Sequence, residues 1–380
     1  MISIFIRADA SLSIGSGHVM RCRTLARELK RRGAAITFLC RRQPGDLISL
    51  LEQEFPVLAL PELPLAVTQS PEEQPLQSRE LYTAWLGCTQ EQDAADCLQA
   101  LRDTRYGSAS WLVVDHYGLD ATWQRQLLAG FAASAAPKLL VIDDLADRTH
   151  QADLLLDQNF FGAATETRYA GLVPEHCRQM LGPHYALLGP EYAQLHPLVP
   201  PRTELRRVLV FFGGVDPDNL TGQALKALCA PELAHLAVDV VLGMQSPHRR
   251  MAAELVAHRP LTTLHDPLPS LAGLITRADL AIGAGGATTW ERCCLGLPSV
   301  LVVCAFNQEQ ISEEIVKLGA GVILYPTEKT SREIQENIVM LSTNSEEYLQ
   351  ISRRAKIICD GLGVTRVSQE IDSTLSNTNN

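Results

Sequence analysis

The sequence predicts an α/β protein made of two parallel-sheet domains in tandem, and three observations support this fold class. Short apolar runs alternate with helical stretches along the chain, which is the pattern of a parallel sheet buried on both faces. Several of these runs end directly in aspartate or histidine. A proline-rich stretch at 196–201 separates two such halves, and a chain of 380 residues is long enough for two domains.

The first half begins with a predicted strand at 2–6, which leads through the turn Gly15-Ser16-Gly17 into a predicted helix at 19–30. Further strands are predicted at 35–40, 111–114 and 139–142. In open α/β sheets, ligands bind beyond the carboxyl ends of the strands. A polar edge is therefore expected there, formed by Asp9, Asp115, His116, Asp143 and Asp144.

The second half repeats this architecture without a visible sequence repeat. Its strands are predicted at 208–212, 238–242, 280–282 and 300–303. We therefore expect an N-terminal domain at 1–195, a linker at 196–202 and a C-terminal domain at 203–372, with a ligand cleft between the domains. Residues 63–78 are predicted to form a surface excursion, and the polar tail from 373 to 380 is predicted to fray.

Composition excludes several classes of protein. A formal net charge of −10 without a basic block argues against nucleic-acid binding. The apolar start of the chain meets Arg7 and Asp9 too early for a signal peptide or a membrane span. The ten cysteines lack metal-ligand spacing, so we expect reduced thiols in the cytoplasm, no metal and no membrane association.

The turn before the first helix delivers His18 to the expected polar edge. Glycines there let backbone approach a ligand and expose free N–H groups, while the imidazole adds a titratable side chain. The same residues also fit a plain βα connection in which the glycines tighten the turn and His18 caps the helix.

A second glycine loop, Gly283-Ala284-Gly285-Gly286, lies between a predicted strand and a predicted helix at 287–295. Strand, loop and helix start form an anion site suited to a diphosphate, although the glycines also fit packing alone. Glu291 is placed to accept hydrogen bonds from a ribose diol, or to stabilise the helix dipole. Asn307 and Gln308 are expected to close the same pocket or to form the loop there.

A third loop follows the first strand of the second half. Gly213 and Gly214 are its candidates for lining the cleft, whereas Asp218 or Asn219 is expected to cap the next helix.

Together these motifs resemble a known family, the nucleotide-sugar hydrolases of pseudaminic acid biosynthesis. The resemblance covers nearly the whole chain in the same order. It is carried by residues 7–11, 15–22, 85–87, 114–120, 142–146, 157–159, 212–214 and 283–292. It implies the GT-B fold, with two Rossmann-like domains facing each other across a cleft, and kinship to the glycosyltransferase of peptidoglycan lipid II assembly.

The resemblance also implies a reaction. Hydrolysis of the anomeric C–O bond of a UDP-sugar would release UDP and the free sugar with inversion, without cofactor or metal, in a monomer. His18 would deprotonate the attacking water, because the helix dipole disfavours its imidazolium. A terminal phosphate leaves without a general acid if N–H groups at Gly285 and Gly286 meet its charge.

The expected substrate-binding residues divide between the two domains. Asp9, Asp115 and Tyr117 have alternative roles as a loop brace, a turn cap and a packing residue. The first domain would contribute Asp9, Gly17, Tyr82, Asp115, His116 and Tyr117, and the second Gly213, Gly214, Gly285, Gly286, Glu291, Asn307 and Gln308. Two other functions remain open: a glycosyltransferase with the same donor, and a sensor that binds the nucleotide sugar without catalysis.

Overall fold

A computed structural model describes residues 2–62, 78–102, 109–244 and 246–376. The excursion predicted at 63–78 therefore lies outside the described residues except for Ser78, as do the last four residues of the tail. The chain divides into two compact units, each built on one parallel sheet.

The first unit contains a seven-stranded parallel sheet with the order β3-β2-β1-β4-β5-β6-β7. Its strands are β1 (Ser3–Ala8), β2 (Ala35–Arg41), β3 (Val57–Leu60), β4 (Trp111–Asp115), β5 (Lys138–Ile142), β6 (Leu154–Asp157) and β7 (Arg178–Leu181). The helices that the structure describes along this unit are α1 (Gly17–Arg31), α2 (Ile48–Leu51), α3 (Ser78–Ala84), α4 (Gln90–Arg102) and α5 (Ala121–Ala129). All six residues of β1 are buried, so the centre of the sheet is covered on both faces.

The second unit contains a six-stranded parallel sheet with the order β10-β9-β8-β11-β12-β13. Its strands are β8 (Arg207–Phe211), β9 (Ala237–Val241), β10 (Thr262–His265), β11 (Leu280–Ala284), β12 (Ser299–Val302) and β13 (Val322–Leu324). Helices described here are α6 (Pro190–Leu195), α7 (Leu220–Leu228), α8 (Arg249–His258), α9 (Ala272–Arg277), α10 (Thr288–Cys294), α11 (Phe306–Lys317), α12 (Thr330–Thr343) and α13 (Ser345–Ile358). A last helix, α14 (Gly363–Ser376), ends the described chain.

The second sheet has a hydrophobic core on each face. Val208 and Val210 of β8 pack into one cluster, and Leu209, between them, packs into the other. Successive side chains of a strand point to opposite faces. A strand with a core on each face therefore requires a continuous apolar run. The predicted doubly covered parallel sheets are confirmed.

The boundaries of the units differ from those expected. Residues 159–162 and 182–364 form the second unit, and the described residues from 365 to 376 belong to the first. Ala186 and Tyr192 lie before the predicted linker but pack in the core cluster of Trp290. Asp372 of α14 pairs with Arg32 at 3.1 Å. Hydrophobic spacing predicts a helix but does not indicate which core the helix packs against. The sequence therefore did not predict this division of the chain.

A buried charge network ties together the first sheet. Asp93 is fully buried and accepts hydrogen bonds from Arg7 Nη2 at 2.8 Å, Arg41 Nη2 at 2.7 Å and Trp123 Nε1 at 3.0 Å. Burial alone would raise the pKa of Asp93, but the two guanidinium groups lower it well below its usual range. The carboxylate therefore remains charged and joins β1, β2, α4 and α5.

We predict that Asp93→Asn destabilises the first unit by about 3–5 kcal/mol, because Arg7 and Arg41 lose their shared buried counter-charge. Chemical unfolding followed by circular dichroism measures this loss. The matched control is Asp372→Asn, which removes a carboxylate from a partly exposed pair and is expected to cost about 1 kcal/mol or less. Equal effects of the two substitutions would contradict the assigned role of Asp93.

Candidate active site

His18 and Asp115 form a hydrogen-bonded pair in the first unit. His18 lies in the first turn of α1, and Asp115 is the last residue of β4. The His18 Nδ1 atom lies 2.6 Å from Asp115 Oδ1, and both side chains are almost completely buried. Because Asp115 holds Nδ1, Nε2 is the nitrogen that remains to exchange a proton with a ligand.

Arg21 fixes the same carboxylate from one helical turn further along α1. Its Nε lies 2.6 Å from Asp115 Oδ2 and its Nη2 2.6 Å from Oδ1, which is a bidentate pair. Burial would raise the pKa of Asp115, but the charge of Arg21 and the hydrogen bonds from Arg21 and His18 lower it well below its usual range. Asp115 is thus a fixed anion that orients His18 and is itself unsuited to act as a base.

Asp144 and Tyr117 close a ring of contacts with His18. Arg21 Nη1 donates to Asp144 Oδ2 at 3.0 Å, and the Tyr117 hydroxyl donates to Asp144 Oδ1. The Tyr117 ring meets the imidazole edge-on, with 4.5 Å between ring centroids. The carboxylates of Asp115 and Asp144 and the guanidinium of Arg21 together carry one net negative charge. Protonation of His18 would neutralise that charge.

An aromatic group adjoins this ring of contacts. Tyr82 packs edge-on against Trp85 and Tyr117, at centroid distances of 4.8 and 4.9 Å. Trp85 stacks on Tyr117 at 6.0 Å. Tyr82 and Tyr117 are buried, and Trp85 is partly exposed. The segment from α3 to Trp85 therefore supplies an apolar surface beside the imidazole.

Asp9 and His116 were expected to line the sugar side, and the structure places them elsewhere. Asp9 is fully buried; its Oδ1 lies 2.5 Å from Arg7 Nη1 and accepts the Arg41 N–H at 2.8 Å. His116 Nε2 lies 3.6 Å from Asp9 Oδ2. Burial lowers the pKa of His116 to about 4, so its ring is neutral. Their side chains are enclosed beside Arg7 and Arg41, so this arrangement does not expose them to direct contact with a ligand.

The glycine loop of the second unit leads into a short helix. α10 covers seven residues, fewer than predicted, and no side chain caps its N-terminus. A Cβ at Gly285 would lie 2.1 Å from Ser312 Oγ, so packing against α11 requires this glycine. A Cβ at Gly286 would meet only Gln308 Nε2, at 3.6 Å. The backbone at Gly286 is therefore the accessible part of the loop, with Gln308 beside it.

Glu291 is partly exposed as a residue, but its Oε2 is sealed from solvent and has no hydrogen-bond partner among the described residues. Burial raises its pKa to about 7, and the neighbouring Tyr192 hydroxyl opposes part of this shift. The Tyr192 hydroxyl is likewise buried without a partner of good geometry in the described chain. An acceptor held in this way suits a hydroxyl donor from a ligand.

Several other predicted residues border open space. A Cβ at Gly17, Gly213 or Gly214 would meet no atom within 4 Å, so packing does not require these glycines. Gly213 also adopts a φ of 97°, which favours glycine. Asn307 is partly exposed and lies with Gln308 in the first turn of α11. The helix cap expected from Asp218 or Asn219 is provided instead by Asp216, whose carboxylate accepts hydrogen bonds from the N–H groups of Leu220 and Thr221.

The predicted site residues thus form two groups, one in each unit. Sequence reasoning missed Arg21 and Trp85 as members of the first group and Tyr192 as a neighbour of Glu291, whereas it expected Asp144 at the polar edge without giving it a role in the site. Arg21 was detectable, since it lies three residues after His18 on one helix face. The position of Tyr192 follows from tertiary packing alone.

Among the described residues, no group of three or more His, Cys, Asp or Glu side chains is arranged to hold a metal ion. No described helix is long and apolar enough to cross a membrane.

Comparison with known proteins finds relatives along the whole chain. Residues 208–362 match the family model described as Glycosyltransferase family 28 C-terminal domain. The chain is 24% identical over 367 residues to the spore coat polysaccharide biosynthesis protein SpsG of Bacillus subtilis, and the alignment covers 96% of each chain. It is also 24% identical over 321 residues to the UDP-2,4-diacetamido-2,4,6-trideoxy-beta-L-altropyranose hydrolase of Campylobacter jejuni, with coverage of 84% of this chain and 98% of that protein.

Solved structures share the fold. MurG of Acinetobacter baumannii aligns with a TM-score of 0.62 at 15% identity, covering 98% of this chain and all of that one. The expected GT-B fold, with two Rossmann-like units, is confirmed.

The raised pKa of Glu291 gives a prediction for stability. In the unfolded chain this carboxyl ionises near pH 4.5, but in the folded protein it stays protonated to about pH 7, so folding becomes less favourable as pH rises through that window. Glu291→Gln removes this loss. We expect Glu291→Gln to raise the Tm by about 3 °C or more at pH 8 and by little at pH 5. The exposed Glu328→Gln serves as control, and a pH-independent difference for Glu291→Gln would contradict the prediction.

Proposed function

We propose that the chain is a UDP-sugar hydrolase that cleaves the anomeric C–O bond with inversion. The proposed substrate is UDP-2,4-diacetamido-2,4,6-trideoxy-β-L-altropyranose, and the products are UDP and 2,4-diacetamido-2,4,6-trideoxy-L-altrose, in pseudaminic acid biosynthesis. The hydrolase of Campylobacter jejuni, which aligns with most of the chain, supports this substrate. A soluble, monomeric and cytoplasmic enzyme without a cofactor is part of the proposal.

The His18–Asp115 pair carries the proposal. In the proposed reaction, Nε2 of His18 takes a proton from water while the water oxygen attacks the anomeric carbon. The proton turns the imidazole into a cation, and the net negative charge of Asp115, Asp144 and Arg21 stabilises that cation as it forms. Attack on the face opposite the leaving group inverts the anomeric centre.

The electron pair of the broken C–O bond goes to the terminal phosphate of UDP. That phosphate has a second pKa of about 6 and leaves as an anion without a proton donor. We assign its charge to the backbone at Gly285 and Gly286, the ribose diol to Glu291, and closure of the nucleotide pocket to Asn307 and Gln308. Gly213 and Gly214 are assigned to the same nucleotide-binding unit.

On the sugar side we assign substrate contact to Gly17, Tyr82 and Tyr117, and to the buried Asp115, which was expected to contact substrate, we assign the orientation of His18. The aromatic surface of Tyr82 and Tyr117 suits the apolar methyl groups of a diacetamido deoxy sugar. Asp9 and His116, being buried, are assigned to positioning the loop after β1 and the end of β4.

A glycosyltransferase that uses the same donor is the second candidate. The match of residues 208–362 to a glycosyltransferase domain favours it. A hydroxyl acceptor would then replace water beside His18. A sensor without catalysis is a third candidate, but a sensor has no use for the orientation of His18 by Asp115.

The test is to incubate the purified protein with the UDP-sugar alone and to follow UDP release by a coupled assay. Release without an acceptor, with one UDP formed per free sugar, is expected. Release only after an acceptor is added would establish the transferase instead. Binding of the UDP-sugar without release would establish the sensor.

We predict that His18→Ala lowers turnover at least about 100-fold, because the general base is lost. The affinity for UDP should change little, since the nucleotide is assigned to the second unit. The exposed His176→Ala is the control in the same unit and should keep wild-type turnover. Turnover of His18→Ala within about tenfold of wild type would show that His18 is not the base.

A further inference from the structure

Arg292 is a buried cation whose charge no described residue pairs. Its side chain is 3% exposed, and no carboxylate lies within ion-pair distance in the described chain. Its hydrogen bonds to described residues use the Nη2 atom alone, which donates to Ala284 O at 2.7 Å and to Thr289 Oγ1 at 3.0 Å. Nε is buried and has no partner there. A buried charge in this state destabilises a protein unless something compensates it.

Two other arginines of the same unit show how such a charge is usually accommodated. Arg202 and Arg259 are also buried without a carboxylate. Arg202 distributes Nε, Nη1 and Nη2 over the carbonyls of Ala278, Leu295 and Ile275. Arg259 does the same with the carbonyls of Leu228, Leu236 and Leu233. Arg292 lacks such a set of carbonyl partners, so its burial is not explained by hydrogen bonds to the carbonyls at helix ends.

The surroundings of Arg292 strengthen the effect of its charge. A cavity of about 10 Å³ beside it is lined mainly by apolar side chains, including Leu209 and Phe211, which leaves room for about one water molecule. Burial lowers the pKa of Arg292 to about 10, so it is still protonated at neutral pH. Glu291 acts on it through space, but that carboxyl is about half protonated near pH 7.

Arg292 is placed directly under the glycine loop. Ala284, whose carbonyl it holds, immediately precedes Gly285 and Gly286. A Cβ at Gly283 would lie 2.6 Å from Arg292 Nη1 and 2.3 Å from Phe211 O, so this glycine makes room for the guanidinium. The helix that follows is only seven residues long. Arg292 therefore adds a buried positive charge directly beneath this loop.

We propose that Arg292 is the counter-charge of the bound diphosphate, acting through the loop without touching the ligand. The inference rests on the proposed function, which places the diphosphate at Gly285 and Gly286. It implies that the protein without ligand carries a buried charge that no described residue pairs and that an anionic ligand neutralises. Arg292 is thus a positioning and electrostatic residue, and its contribution should grow with the charge of the ligand.

The test is titration calorimetry with UDP, UMP and uridine on the full chain. Arg292→Met should weaken UDP binding by about tenfold or more, UMP binding by less and uridine binding least. Arg250→Met removes an exposed arginine from the same unit and should leave all three affinities within about twofold. Equal weakening of the three ligands, or none, would overturn the inference.

Thermal unfolding supplies a second readout. Without ligand, Arg292→Met should unfold at or above the wild-type Tm, because an unpaired buried charge has been removed. The rise in Tm caused by UDP should be smaller than in wild type. A lowered Tm with an unchanged UDP response would make Arg292 a purely structural residue.

Arg292→Gln serves if the methionine variant does not fold, because it keeps a donor for Ala284 O without the charge. It should weaken binding in the same order of ligands. If the wild-type protein binds no UDP, the proposed function fails. If wild type binds UDP and the variants keep its preference for UDP over uridine, only the inference about Arg292 fails.

Discussion

A parallel sheet covered on both faces imposes the constraint on which the rest of this structure depends. Polar side chains within such strands are desolvated, so they need buried partners, whereas those just beyond the carboxyl ends meet loops and solvent. Asp115 ends β4 and Asp144 follows β5. Both therefore reach the N-terminal turn of α1, where His18 and Arg21 lie, and the candidate active site follows from this geometry.

The two units handle buried charge differently. In the first unit, Arg7 and Arg21 each have carboxylate partners within the described chain, and this fixes their side chains without a ligand. In the second unit, Arg292 has none, and Glu291 beside it is held with a raised pKa. The first arrangement suits a group that must keep one orientation through a reaction. The second suits a site that becomes more stable when an anion binds.

The central strands and the order of the elements were predictable, because long apolar runs have no other place in an α/β fold. β3, β6, β7, β10 and β13 were missed; all five are short, and all but the buried β6 are partly exposed strands at the edges of their sheets. At the site, the sequence singled out His18, Asp115 and Tyr117, which the structure brings together. It did not predict the burial of Asp9, although Arg7, a cation within an apolar strand, required a buried acid nearby. The position of Tyr192 beside Glu291 depends on packing between segments about a hundred residues apart, and no local pattern encodes it.

The division of the chain has a consequence for how the protein is made. The first unit takes its last helix from the end of the sequence, where Asp372 pairs with Arg32 and the carbonyl of Thr374 accepts Lys138 Nζ at 3.0 Å. During synthesis, β1 to β7 leave the ribosome long before α14, so the N-terminal unit waits unfinished while the whole second unit is translated. The first unit is therefore complete only after α14 has been made, and removal of α14 would destabilise the first unit rather than the second.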